Sequence, residues 1–156
     1  ISPIKEIVEN LILYLESLMD IEKGIPSTRE KTDYYNSWCH GNAGILLGLF
    51  NIYKVFKSDK LLKLMKKLLE IQVKESAYNF KLCHGNLGNY LICYNVSSWL
   101  KEEYYKDLFK EKLDLLARKI SKDNFKYYNK NFMVGLAGFY YWKLLDWDME
   151  GKLDLI

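Results

Sequence analysis

The chain has two histidines, and each directly follows a cysteine: Cys39-His40 and Cys83-His84. Thiolate sulfur and imidazole nitrogen are the donors that zinc prefers. Both pairs open the same string of residues, Cys39-His40-Gly41-Asn42-Ala43-Gly44 and Cys83-His84-Gly85-Asn86-Leu87-Gly88. Two buried cysteines whose histidines merely bond to backbone would not need the whole string duplicated, so a metal site is the better reading. If all four residues bind, the site is closed and structural. If three bind, one position stays open to water or substrate and the site can be catalytic. The spacing is not that of a zinc finger, and residue types leave both cases open.

A third string, Met133-Val134-Gly135-Leu136-Ala137-Gly138, repeats the pattern without the metal-binding residue types. Each string is followed by a mostly apolar segment. Seven of the nine glycines sit in these segments: Gly41, Gly44, Gly48, Gly85, Gly88, Gly135 and Gly138. A helical glycine costs about 1 kcal/mol relative to alanine. Something must offset that cost, either close backbone approach or exposure of a helix start to a ligand. A helix N-terminus also favours a thiolate and lowers a cysteine pKa.

The elements that must position these strings follow from hydrophobic periodicity. Ile4, Ile7, Val8, Leu11, Leu15 and Leu18 make one stripe on a first helix, with Ser2 as N-cap and Pro3 at the first helical position. Gly24 and Pro26 stop it, and a polar loop runs over about 27–36. The segment 42–56 is apolar nearly all round and reads as a buried helix. After a Ser58-Asp59 cap, Leu61, Leu64, Met65, Leu68 and Gln72 mark one face of a lysine-rich amphipathic helix. A short apolar segment (86–96), a long charged one (100–120) and an apolar, aromatic one (133–145) complete six helices, alternating outer and inner. A two-helix repeat of this period is a stacked helical-hairpin architecture. Corresponding helix ends then lie side by side, so the two Cys-His pairs converge in space. Cys93, ten residues past Cys83, reads as core filler. Trp38, Tyr34, Tyr35, Phe139, Tyr140, Tyr141 and Trp142 cluster near the strings as packing, rim or groove residues.

Composition bounds the answer. A chain of 156 residues, 49% hydrophobic, can build one core. A net charge of +3 gives no argument for nucleic acid. No apolar run spans a membrane. Three cysteines do not make a disulfide framework and point to a reducing, cytoplasmic setting. The chain begins Ile1-Ser2-Pro3 rather than with Met, so it is expected to be a segment of a longer polypeptide.

Ser37-Trp38-Cys39-His40-Gly41-Asn42-Ala43-Gly44-Ile45, Leu82-Cys83-His84-Gly85-Asn86-Leu87-Gly88-Asn89 and Phe132-Met133-Val134-Gly135-Leu136-Ala137-Gly138 together resemble the lanthionine synthetase cyclase family. The second and third strings look most like the C-terminal cyclase domain of class II lanthipeptide synthetases. The resemblance covers most of the chain. It implies an all-α fold, an α/α toroid of helical hairpins, here a partial ring of three, with residues 1–156 forming the C-terminal part of a cyclase domain. It also implies a Zn2+ site in which Cys39, Cys83 and His84 match the family's three ligands. The implied reaction adds a cysteine thiol of a dehydrated precursor peptide to the β-carbon of dehydroalanine or dehydrobutyrine, giving a lanthionine thioether ring. His40 stands where some members carry Tyr and others His. Its implied role is to orient the site or assist proton transfer.

The sequence departs from the family in one respect that matters. The family's full ring is longer and carries an earlier histidine, in an Ala/Ser-His-Gly string, proposed for acid/base transfer; no third histidine occurs here. Two further readings therefore stand beside the cyclase: a non-catalytic zinc- or peptide-binding remnant, and a LanC-like protein that joins glutathione to dehydrated residues. An unrelated toroid glycosidase would need paired carboxylates at the ring mouth, and the three strings contain no Asp or Glu. Expected partners are the dehydrated peptide and the remainder of the synthetase, with no nucleic acid. Hairpin edges left uncovered should expose apolar faces and lead to a partner, a homo-oligomer or poor solubility.

Overall fold

A computed structural model describes residues 3–28, 30, 32–74, 79–120 and 130–144. Six helices and no strand occur among them: α1 (Pro3–Leu18), α2 (Asn42–Val55), α3 (Asp59–Val73), α4 (Asn86–Leu100), α5 (Glu103–Ile120) and α6 (Leu136–Leu144). The described residues are all-α, an α/α toroid arrangement in which apolar inner helices alternate with amphipathic outer ones. No helix among the described residues is long and apolar enough to cross a membrane.

Burial follows the patterning. On α3, Leu61, Leu64, Met65, Leu68 and Gln72 are buried, the face that its periodicity marks. On α5, Phe109, Leu113, Leu116 and Ala117 repeat at intervals of four, three and one and form a single buried stripe. Helix α4 is the centre of the core: every residue from Asn86 to Cys93 is buried. It packs against α2 on one side and α5 on another. The links α2–α3 and α4–α5 are only a few residues long, so each inner helix folds back against the outer helix that follows it. Cys93 is fully buried in this core, as its apolar setting predicts.

Several boundaries differ from the sequence expectation, among them the start of α5, at Glu103 rather than 100. Helix α1 ends at Leu18, well before Gly24. The Asp20 carboxylate accepts the N–H groups of Glu22 (2.8 Å) and Lys23 (2.9 Å), a local turn that competes with further helix. These bonds hold its carboxyl below the ordinary range. Helix α4 runs on to Leu100, where Lys101 takes a left-handed conformation (φ 59°) and closes it. Helix α6 starts at Leu136, because residues 132–134 form a turn like those at 38–40 and 82–84. Ser2, the expected N-cap of α1, lies outside the described residues.

Only part of the stripe on α1 packs. Val8 and Ile12 are buried and Leu15, Leu18 and Met19 lean on the core, whereas Ile4 and Ile7 are 61% and 66% exposed. The helix lies at the edge of the described structure, so only one side of its apolar surface meets the core.

Asn42, the asparagine of the first string, is fully buried and structural. Its Oδ1 accepts the Ile25 N–H (2.9 Å), and its Nδ2 donates to the Lys23 carbonyl (2.8 Å) and Asn36 Oδ1 (2.7 Å). It ties the turn after α1, where Gly24 has φ +90°, to the start of α2.

Candidate metal centre

Each motif string forms a tight turn laid against the first turn of its own helix. The packing repeats residue for residue. The Gly44 N–H meets the Ser37 carbonyl and the Gly88 N–H meets the Lys81 carbonyl, both at 3.4 Å. A Cβ at Gly44, Gly88 or Gly138 would overlap the carbonyl oxygen of Trp38, Leu82 or Phe132 respectively, six positions back in each case. Close approach of the turn to its own helix start is therefore what the last glycine of each string permits.

The turns are joined edge to edge. The Trp38 N–H donates to the Cys83 carbonyl (3.1 Å), and the Cys83 N–H donates to the Met133 carbonyl (2.9 Å). These bonds bring the first two turns, and with them the two Cys-His pairs, to one place. Cys39 Sγ lies 2.7 Å from His40 Nδ1 and 3.3 Å from His84 Nε2. The donor atoms of Cys39, His40 and His84 all lie within 4.8 Å of one another. Burial first, and then the neighbouring Cys39 thiol, push the Cys83 thiol above the ordinary thiol range. Cys39 thus touches both imidazoles. Cys83, expected as a ligand beside Cys39 and His84, lies outside this group of mutually close donors because its side chain is half-buried under the turn that exposes His84. The rings of Tyr35, His40 and His84 form a column of edge-to-face contacts, with centroids 5.2 and 5.4 Å apart.

One thiol and two imidazoles with such separations suit a soft cation, and the chemistry of the set fits zinc. Cys39, His40 and His84 are exposed, so a small molecule can reach the cluster. A cleft of about 400 Å³ opens beside it, with Tyr34, Tyr35, His40 and His84 on its walls. Phe139 and Trp142, by contrast, are buried packing. Ser37, Asn79 and Asn89 also line the cleft. Residue type alone does not single them out; only Asn89 carries a signal in the sequence, as a departure from the repeat at its position.

No curated protein and no solved structure matches the chain. The sequence model described as lanthionine synthetase C-like protein matches residues 1–147. With six helices among the described residues in alternating inner and outer order and a Cys/His cluster at the joined helix starts, the chain belongs to the lanthionine synthetase C-like family.

Proposed function

We propose that residues 1–156 form the C-terminal part of a zinc-dependent cyclase domain, which adds cysteine thiols of a dehydrated precursor peptide to dehydroalanine or dehydrobutyrine. Family membership supports the reaction class. The observation that carries the reading is the contact of Cys39 with His84, the residue after Cys83 in the neighbouring turn. In this reading Cys39, Cys83 and His84 hold the metal, leaving one coordination position for substrate. When bound, zinc stabilises a substrate thiol as thiolate near neutral pH.

The remaining chemistry falls to the chain. The cleft receives the peptide beside the cluster. The new bond joins the peptide sulfur to the β-carbon, and the thiol's proton ends on the α-carbon, so neither oxidant nor reductant is consumed. His40 lines the cleft with Nδ1 held at the Cys39 sulfur, which leaves Nε2 as its nitrogen for handling that proton. The three cysteines are free thiols, which fits a reducing, cytoplasmic setting. The exposed apolar side of α1 supports a covering partner: the rest of the synthetase or a second copy.

The test is metal analysis of the purified chain, followed by incubation with a dehydrated precursor peptide and alkylation of the remaining thiols. Loss of free thiol above the uncatalysed rate supports the cyclase. Stoichiometric zinc without rate enhancement supports a non-catalytic remnant. A glutathione adduct in place of a ring identifies a glutathione-adding protein. Absence of bound zinc sinks the reading.

A further inference from the structure

The donors that the fold has already gathered are not the set assigned to the working site. Cys39, His40 and His84 present donor atoms within 4.8 Å of one another, and Cys83 is outside that group. The two imidazoles meet the one sulfur through different nitrogens, His40 through Nδ1 at 2.7 Å and His84 through Nε2 at 3.3 Å. Zinc bonds of about 2.3 Å to sulfur and about 2.0–2.1 Å to nitrogen, at a tetrahedral angle, set those atoms about 3.5 Å apart. His84 is nearly at that separation. His40 is well inside it and must withdraw to share an ion with Cys39, while tethered to it as the next residue in the chain. Its bond to a shared ion is therefore the weaker of the two.

The turn does not need the imidazole. The third string has Val134 at the position of His40, and residues 132–134 form the same turn as 38–40. His40 is exposed and lines the cleft, where a small molecule reaches it. Its ring meets Tyr35 edge to face, with centroids 5.2 Å apart. Tyr35 gives the ring a wall of the cleft to rest against when it leaves the sulfur.

We propose that His40 is an exchangeable metal ligand: its Nδ1 completes the site beside Cys39 and His84 while no substrate is bound, and an incoming thiol takes its place. This rests on the reading of the cluster as a zinc site that binds a substrate thiol, and it adds what fills the substrate position before the thiol arrives. The exchange needs no further reagent. The thiol's sulfur replaces the imidazole nitrogen, and its proton passes to the nitrogen released. The consequence is selectivity. Occupancy by His40 lowers the apparent affinity of every thiol by the same factor. A small free thiol then leaves the position largely to His40, whereas a peptide that also fills the cleft of about 400 Å³ has further contacts to drive the exchange.

The chain's two histidines make the test direct. The zinc-loaded chain, carrying isotope-labelled histidine, is titrated with 2-mercaptoethanol. Long-range proton–nitrogen correlation spectra read each ring nitrogen as metal-bound, protonated or free, and His40→Phe assigns the signals by removing one set. Without thiol, His40 Nδ1 and His84 Nε2 are both expected on the metal. Saturating thiol should release His40 alone. His40→Phe should keep stoichiometric zinc on His84 and bind 2-mercaptoethanol about tenfold more tightly in calorimetry, as for a position freed from self-occupancy of about nine-tenths.

The proposal is overturned if His84 Nε2 is metal-bound and His40 Nδ1 is not, or if His40 stays on the metal at saturating thiol as a permanent ligand. Either result leaves the zinc reading standing. Release of both imidazoles together would mean that the thiol strips the metal, and a folded His40→Phe chain with no gain in thiol affinity would mean that His40 does not compete; each overturns the proposal. A chain in which neither ring is metal-bound defeats the zinc reading and the proposal with it. If His40→Phe fails to fold, the wild-type titration decides alone.

Discussion

The sulfur of Cys39 stands 3.3 Å from Nε2 of His84, although 45 residues separate them in the chain. Neither residue is buried enough for packing alone to explain the contact. It is produced by backbone: the Trp38 N–H bonded to the Cys83 carbonyl fixes one turn against the next. Cys39 also touches His40, so two three-residue donor sets share the same sulfur, and they make opposite predictions.

If Cys39, Cys83 and His84 hold the metal, alanine at any of the three should abolish stoichiometric zinc, and Cys93→Ala should leave it intact. His40→Phe should then keep zinc stoichiometric, with affinity reduced about 10–100-fold, as when a residue supporting a ligand is lost. If instead Cys39, His40 and His84 are the set, His40→Phe abolishes zinc and Cys83→Ala spares it. Metal analysis after gel filtration, with a chelator competition for affinity, separates the two.

The three thiols should divide by reactivity. Complete burial pushes the Cys93 thiol far above the ordinary thiol range, the nearby Lys112 charge opposing this only weakly. At pH 8 it therefore carries almost no thiolate, and it is also inaccessible. Metal-free native chain should yield two reactive thiols to a disulfide reagent, and three in denaturant. Zinc should protect Cys39 and Cys83 and leave Cys93 unchanged. Three fast thiols in the native chain would contradict the buried core around α4.

Two glycines one motif apart should respond to alanine with opposite sign. A Cβ at Gly88 would strike the Leu82 backbone carbonyl, which cannot swing aside as a side chain would. Gly88→Ala should cost about 1–3 kcal/mol, as overpacking does. Gly48 lies within α2 with nothing inside 4 Å of its virtual Cβ. There the helix-propensity gain acts alone, and Gly48→Ala should stabilise by about 0.5–1 kcal/mol. Thermal melts of the pair decide it.

These cases show what the sequence conveys and what it withholds. The faces of α3 and α5 are legible because a 3.6-residue period over four turns leaves one solution. The repeated strings predict that the Cys-His pairs meet, since equivalent positions of stacked repeats are neighbours. The start of α6 is less legible: Met133 is apolar and continues the pattern, but it belongs to the turn, as Cys39 and Cys83 do. Which nitrogen of His40 meets the Cys39 sulfur is not legible at all. It depends on how the turn holds the ring.

Helix α1 shows the same limit and carries the last prediction. Periodicity marks Ile4, Ile7, Val8 and Leu11 as one apolar surface but cannot tell which part meets a neighbour. Val8 and Ile12 pack inward, while Ile4 and Ile7 stand largely in solvent and Leu11 is 37% exposed. Contiguous exposed apolar residues at helical spacing favour association. The isolated chain should self-associate with rising concentration in sedimentation experiments. Ile4→Lys combined with Ile7→Lys should shift it towards monomer without lowering Tm, because neither side chain contributes to the core. Ile12→Ala, at a fully packed position, should instead lower stability by about 2–4 kcal/mol. A wild-type chain that stays monomeric at high concentration would show that this side of α1 needs no cover.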